Sequence, residues 1–209
     1  MRKKITYRVG SDYQRGFLGL LVCGVFFASG IILGTVSARR LDAASTQVLY
    51  ESMMGYMEQI RGGTYVSPGF LSVLWTAGRD HLIVLFLGFS ILGPLCLPIL
   101  SGVRGFYLSF PIAAFIRAFG TGGVPVALSL FGVGALFTLP IFFVLTTQAF
   151  SVSAEMGRMV LSGGSLQAET FYGRQFLRKL ILCSLGILAA VFVEIYLTPV
   201  LVSWTSSLL

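Results

Sequence analysis

The sequence of 209 residues is poor in charged side chains, histidine and cysteine. Only 11% of its residues are charged, whereas a soluble domain carries about 25%. The single histidine, His81, excludes a site built from several histidines. The three cysteines lie inside apolar runs without metal-ligand spacing, so we interpret them as core residues and expect no metal or other cofactor.

Catalytic motifs are equally scarce. The sequence has no GxSxG nucleophile motif and no pair of aspartates within an apolar run. These absences argue against an intramembrane protease, and the 56% content of hydrophobic residues argues against an ordinary cytosolic enzyme. We therefore predict a protein that is not an enzyme.

The sequence contains long runs of residues without charged side chains. About 20 residues at 1.5 Å each cross the roughly 30 Å hydrocarbon core of a bilayer. Four runs approach or exceed this length, and a fifth is shorter and contains Arg117. They predict an all-α, polytopic membrane helix bundle in one domain, 1–209, with about five transmembrane helices at 17–36, 82–100, 106–119, 124–150 and 180–204.

The basic residues predict how the chain is oriented. With five spans and the N-terminus inside, ten Lys and Arg lie inside and five outside, which agrees with the positive-inside rule. We expect an uncleaved first anchor, a cytoplasmic N-terminus, an external segment 37–80, a cytoplasmic loop 151–179 and an external C-terminus. The net charge of +7 is thereby explained by topology, and no nucleic-acid partner is predicted.

The external segment contains an amphipathic pattern that ends at Gly62-Gly63. The face that includes Val48, Tyr56 and Ile60 is either a partner-binding surface or an elbow resting on the membrane. On the inside, 165–179 is a second amphipathic stretch, which we interpret as a basic anchor at the lipid surface or as a docking helix.

Glu194 is the one charged residue deep within a predicted span. A charge in hydrocarbon is costly unless it is paired or faces water. Arg117 lies at a compatible depth, so we predict a pair of Arg117 and Glu194 that locks helices together. A proton or ion relay is the alternative, but it normally needs more polar groups in series.

Small residues and prolines mark predicted helix contacts and a hinge. Small residues at four-residue spacing allow close helix approach, either within the bundle or in a homo-oligomer. Those of the first span are Gly24, Ala28, Gly30 and Gly34. The predicted hinge consists of Pro94, Pro98, Gly102, Arg104 and Gly105.

From Trp75 to Pro140 the sequence resembles the stage II sporulation protein M family. The resemblance rests on the aliphatic and glycine-rich run 85–94, the motif Arg104-Gly105-Phe106, the glycine-rich turn 120–123 and Leu139-Pro140. The resemblance implies a multi-pass protein of the sporulation septum that takes part in engulfment during endospore formation. It also implies a membrane scaffold for peptidoglycan-degrading proteins, with stage II sporulation proteins D and P as partners.

A transport component is the alternative function. In that case the inner loop would dock a cytoplasmic ATPase, and a water-filled cavity would reach Glu194 and Pro94. A scaffold would instead have a packed bundle and an exposed external helix.

Overall fold

The structure is a computed structural model that describes residues 2–62, 69–161 and 174–205, with side chains described in these ranges except at 2–15, 60, 61 and 174–177. All regular elements in these ranges are helical, which confirms the predicted all-α class. They comprise α1 (Arg2–Arg39), α2 (Ala43–Arg61), α3 (Phe70–Gly88), α4 (Gly93–Phe119), α5 (Gly123–Ala127), α6 (Val133–Leu161) and α7 (Arg174–Thr205). A short π-helical segment, Leu128–Gly132, joins α5 to α6.

Four helical stretches among the described residues are long and apolar enough to cross a membrane, one fewer than predicted: 16–39, 70–88, 93–161 and 178–205. The third stretch has 69 residues and folds back at Gly120, whose φ of 67° favours glycine. Its two arms are antiparallel, because Arg104 in α4 bonds Thr138 in α6 at 3.1 Å. This stretch therefore contains two helices of crossing length, α4 and α6.

The predicted span 82–100 is wrong, because a turn at 89–92 divides it between α3 and α4. Proline lacks the N–H that a continuous helix would need at position 94, and Pro94 instead lies in the first turn of α4. The carbonyl of Ser90 accepts hydrogen bonds from the Gly93 N–H, at 3.2 Å, and from the Ser153 hydroxyl. As a result α3 begins at Phe70, inside the predicted external segment, and α4 begins 13 residues before the predicted third span at 106.

Contacts between helices give their relative directions. The α1 and α4 helices are parallel, since Gly102 faces Phe26 and Gly34 faces Ser109. The α3 and α6 helices are also parallel, because His81 lies against Phe142 and Gly88 lies against Ala149. Residues 186 and 194 of α7 face residues 141 and 134 of α6, so these two helices are antiparallel. Hence α1, α4 and α7 run in one direction, whereas α3 and α6 run in the other.

Glycines form the contact between α1 and α4. A Cβ atom at Gly30 would overlap the Gly102 carbonyl, and one at Gly34 would overlap Ser109. A Cβ at Gly105 would overlap the Phe27 carbonyl, so both helices need glycine for this close approach.

The other two predicted packing residues of α1 lie elsewhere. A Cβ atom at Gly24 would meet no other atom within 4 Å, and Ala28 is exposed. The contact with α4 therefore uses Gly30 and Gly34, and Gly24 and Ala28 do not take part in it.

The α2 helix covers one end of the bundle, which we call the α2 end. The Met57 side chain is 3% exposed and packs with Phe115, Val126 and Ala127. The Tyr50 ring stacks on Phe119 at a centroid distance of 4.8 Å. These contacts fix α2 to the end of the α4–α5 hairpin.

Candidate functional site

Four charged residues lie near the middle of the bundle on three different helices: Arg79 and Asp80 on α3, Arg104 on α4 and Glu194 on α7. At 1.5 Å per residue, Asp80 is about 15 Å and Glu194 about 16 Å from the helix ends at the α2 end. Both are therefore near the centre of a hydrocarbon core of roughly 30 Å. Ionisable residues at such depth mark a functional site by default.

Arg104 is held by partners on two neighbouring helices. Its Nη1 group donates to Asp80 Oδ2 in an ion pair, and its Nη2 group donates to Thr138 Oγ1 at 3.1 Å. The guanidinium also lies over the Phe142 ring, 5.7 Å from the centroid. The side chains of Arg104 and Asp80 are only 19% and 17% exposed, so α3, α4 and α6 are joined by a mostly buried polar contact.

Glu194 is close to this ion pair but is not part of it. No ion pair of Glu194 occurs within the described residues, although Arg104 lines the same cavity. A Cβ atom at Gly134 would lie 3.4 Å from Glu194 Oε2, so the absence of a side chain there leaves room for the carboxylate.

A cavity of about 210 Å³ lies between α3, α4, α6 and α7 at this level. Its polar lining includes Arg104, Thr138, Glu194, Thr76 and Tyr107. Thr76 and Tyr107 are exposed, which places the mouth of the cavity between α3 and α4. These two helices meet at the 89–92 turn, and the cavity occupies the space farther from that turn.

His81 is next to Asp80 in sequence and is 4% exposed. Its Nδ1 donates to the Ala77 carbonyl at 2.8 Å, because a carbonyl oxygen can only accept. Its Nε2 is buried without a hydrogen-bond partner among the described residues. No cluster of three or more potential metal ligands occurs in the part of the chain that the structure describes.

The predicted pair of Arg117 and Glu194 is wrong. Arg117 instead donates to the carbonyl oxygens of Arg39 and Leu41, the latter at 2.9 Å. The Arg39 carbonyl belongs to the last turn of α1 and the Leu41 carbonyl follows it, at the helix end where the dipole favours a cation. Arg117 thus secures the corner between α1 and α2.

The predicted hinge residues lie in one continuous helix. The α4 helix continues through Pro98, while Gly102 and Gly105 face α1. Arg104, which falls between the predicted spans 82–100 and 106–119, lies in mid-helix and pairs with Asp80. Sequence reasoning misses the polar role of Asp80 for the same reason, since the wrong boundary places it in the external segment.

The predicted partner-binding face is only partly described. Val48 is 64% exposed, whereas Tyr56 is half-buried and the side chain of Ile60 lies outside the described residues. Ala44 and Glu51 are exposed on the same side of α2 as Val48. The inner amphipathic stretch 165–179 lies largely outside the described residues.

The comparison with protein families identifies the chain. Residues 23–199 match the family of stage II sporulation protein M. The chain belongs to this family. It is therefore a multi-pass membrane protein related to sporulation, as the apolar helices and the family together indicate. No curated protein and no solved structure matches the chain significantly.

Proposed function

We propose that this member of the stage II sporulation protein M family is a non-enzymatic membrane scaffold at the sporulation septum. In this role it anchors peptidoglycan-degrading proteins, namely stage II sporulation proteins D and P, during engulfment. The observation that carries the proposal is the α2 helix, which is fixed to one end of the bundle and leaves one face exposed. The family membership supports the link to sporulation.

The distribution of basic residues supports an external position for α2. Nine Lys and Arg belong to the opposite end of the bundle, whereas four, Arg39, Arg40, Arg61 and Arg117, belong to the α2 end. The positive-inside rule then assigns the nine to the cytoplasm. In this orientation the N-terminus is cytoplasmic, and α2 faces the compartment that contains peptidoglycan.

The two faces of α2 have different chemistry. Met53, Met54 and Met57 face the bundle. Val48 and Glu51 are exposed, and a Cβ atom at Gly55 would meet no other atom within 4 Å. A partner can therefore contact this face without disturbing the packing of α2 on α4.

Co-purification tests the scaffold. The double variant Val48→Arg and Gly55→Arg places two bulky cations on the exposed face, and we expect it to lose stage II sporulation proteins D and P from the purified complex. Thr121→Arg is the matched control, because Thr121 is exposed at the same end of the bundle but lies outside α2. Retention of both hydrolases by the double variant, at unchanged thermal stability, would rule out this surface.

Transport is a second candidate function, and the cavity at Glu194 is the observation that favours it. Pro94, however, does not line this cavity. A solute-flux assay in proteoliposomes separates the two functions, because a scaffold gives no flux that depends on Glu194.

A further inference from the structure

We propose that Glu194 is a proton-binding site that exchanges with water in the cavity, while Asp80 and Arg104 remain paired. The carboxylate of Glu194 takes a proton from hydronium, which forms an O–H bond and leaves water, and it returns the proton to water in the reverse step. This inference goes beyond the scaffold role and does not depend on it.

The pairing of charges around the cavity is the first argument. Asp80 has two cationic partners, Arg104 and the 54% exposed Arg79. Glu194 lies on the cavity wall and has no ion pair among the described residues. Because an unpaired charge near the centre of a bilayer is costly, a positive charge is needed at Glu194. A proton supplies it within the carboxyl group itself.

The neighbours of Glu194 favour a proton over a metal ion. The α4 helix contributes Tyr107 and Arg104, whose guanidinium only donates hydrogen bonds and cannot be a metal ligand. The adjacent wall of α6 contributes Gly134 and Thr138, which are not ionisable. On α3, Asp80 is already paired and His81 donates to its own helix.

The charged side chains of α2 complete the set of groups near α7. Glu51 and Glu58 are exposed on α2 and do not line the cavity. Glu194 is therefore the one carboxylate on the cavity wall that has no ion pair within the described residues.

The cavity has room for water. Its volume of about 210 Å³ holds several water molecules at roughly 30 Å³ each. The hydroxyl of Thr138 and the carboxylate of Glu194 provide polar partners inside, and Thr76 lies at the mouth. We expect water in a roomy and polar cavity of this kind, whereas a purely apolar one stays dry.

Infrared spectroscopy of the full-length protein in lipid nanodiscs tests the site. We expect the difference spectrum between acidic and alkaline buffer to contain a carboxylic-acid carbonyl band that belongs to Glu194. The band should shift in deuterated buffer, which reports exchange with water. Glu194→Gln should remove the band, whereas Glu58→Gln, the same change at an exposed position of α2, should leave it in place.

The variant Gly134→Ala is a second test of the assignment of the band to Glu194, because it retains the carboxyl group. Its Cβ would contact Glu194 Oε2, so we expect the band to change in frequency. The proposal is overturned if the difference spectrum is the same in the parent, in Glu194→Gln and in Gly134→Ala. It is also overturned if the band is present but does not shift in deuterated buffer. Neither outcome depends on whether stage II sporulation proteins D and P bind, so the scaffold is tested separately.

Discussion

Arg104 of α4 pairs with Asp80 of α3 across the turn that joins the two helices. The turn at 89–92 lies between them in sequence, and α4 returns beside α3 so that the two side chains meet near mid-bundle. The ion pair, together with the bond from Arg104 to Thr138, connects three helices in a region where apolar packing gives little directional preference. We expect this contact to fix the register of the helices.

Removal of Arg104 should be strongly destabilising. Arg104→Gln leaves Asp80 as a mostly buried carboxylate without its main partner, which costs about 3–5 kcal/mol in typical buried pairs. The double variant with Asp80→Asn should recover most of this loss, because no unpaired charge remains. Thermal unfolding in detergent micelles measures both effects. The control is Arg79→Gln, since Arg79 also contacts Asp80 but is 54% exposed, and we expect a change of about 0–1 kcal/mol. Equal losses for Arg104→Gln and Arg79→Gln would contradict this account.

Alanine substitutions at two glycines of α1, Gly30 and Gly24, should have different effects on stability. Gly30→Ala places a Cβ against the Gly102 carbonyl, so the helices must separate at a cost of about 1–3 kcal/mol. Gly24→Ala meets open space and should be neutral or stabilising by up to about 1 kcal/mol, because alanine favours the helix. Resistance to unfolding in a denaturant series measures the difference. A loss of stability at both positions would indicate that Gly24 also lies in a contact, for example with a second copy.

The helices that could be predicted from the sequence are those whose uncharged run is bounded by charged residues. The runs around 17–36 and 180–204 correspond to α1 and α7, since charges flank both runs. The turn at 89–92 could not be found in this way, because its residues are as apolar as those of the helices on either side. Only Gly93-Pro94 signals the turn, and prolines also occur within α4, α6 and α7.

The position of the turn at 89–92, between α3 and α4, also decides how much of the candidate site can be predicted. Glu194 is recognised from its depth within one span, which needs no knowledge of other helices. Its neighbours depend on which helix faces α7 and in which register, and sequence spacing does not supply this information. With the turn misplaced, Arg104 falls near a membrane surface and Arg117 becomes the nearest available cation.

Acid should loosen the start of α2 through Asp42. Hydrogen bonds from Ser45 to the carboxylate lower the pKa of Asp42 below its usual value. Because the pKa is lower in the folded state, the charged carboxylate stabilises the helix start fully at pH values above the unfolded pKa, about 3.9. This contribution is lost as the pH falls through the lower pKa of the folded state. Amide hydrogen exchange at Ser45 and Thr46 should therefore show weaker protection, after correction for intrinsic exchange rates, at the acidic end of the range. Asp42→Asn retains a good N-cap residue but cannot titrate, so its protection should not change with pH in this window.

Arg117 and Glu194 should behave as independent residues. Arg117→Gln removes two hydrogen bonds to the carbonyls of Arg39 and Leu41, and because Arg117 is exposed we expect a loss of about 1 kcal/mol or less. The two side chains have separate partners, so their effects should add within about 0.5 kcal/mol in a double-mutant cycle with Glu194→Gln. Unfolding of the four proteins in one detergent provides the cycle. A larger coupling energy would indicate the direct ion pair that the sequence predicted. Additive effects would support separate roles for Arg117 at the α1–α2 corner and for Glu194 at the cavity.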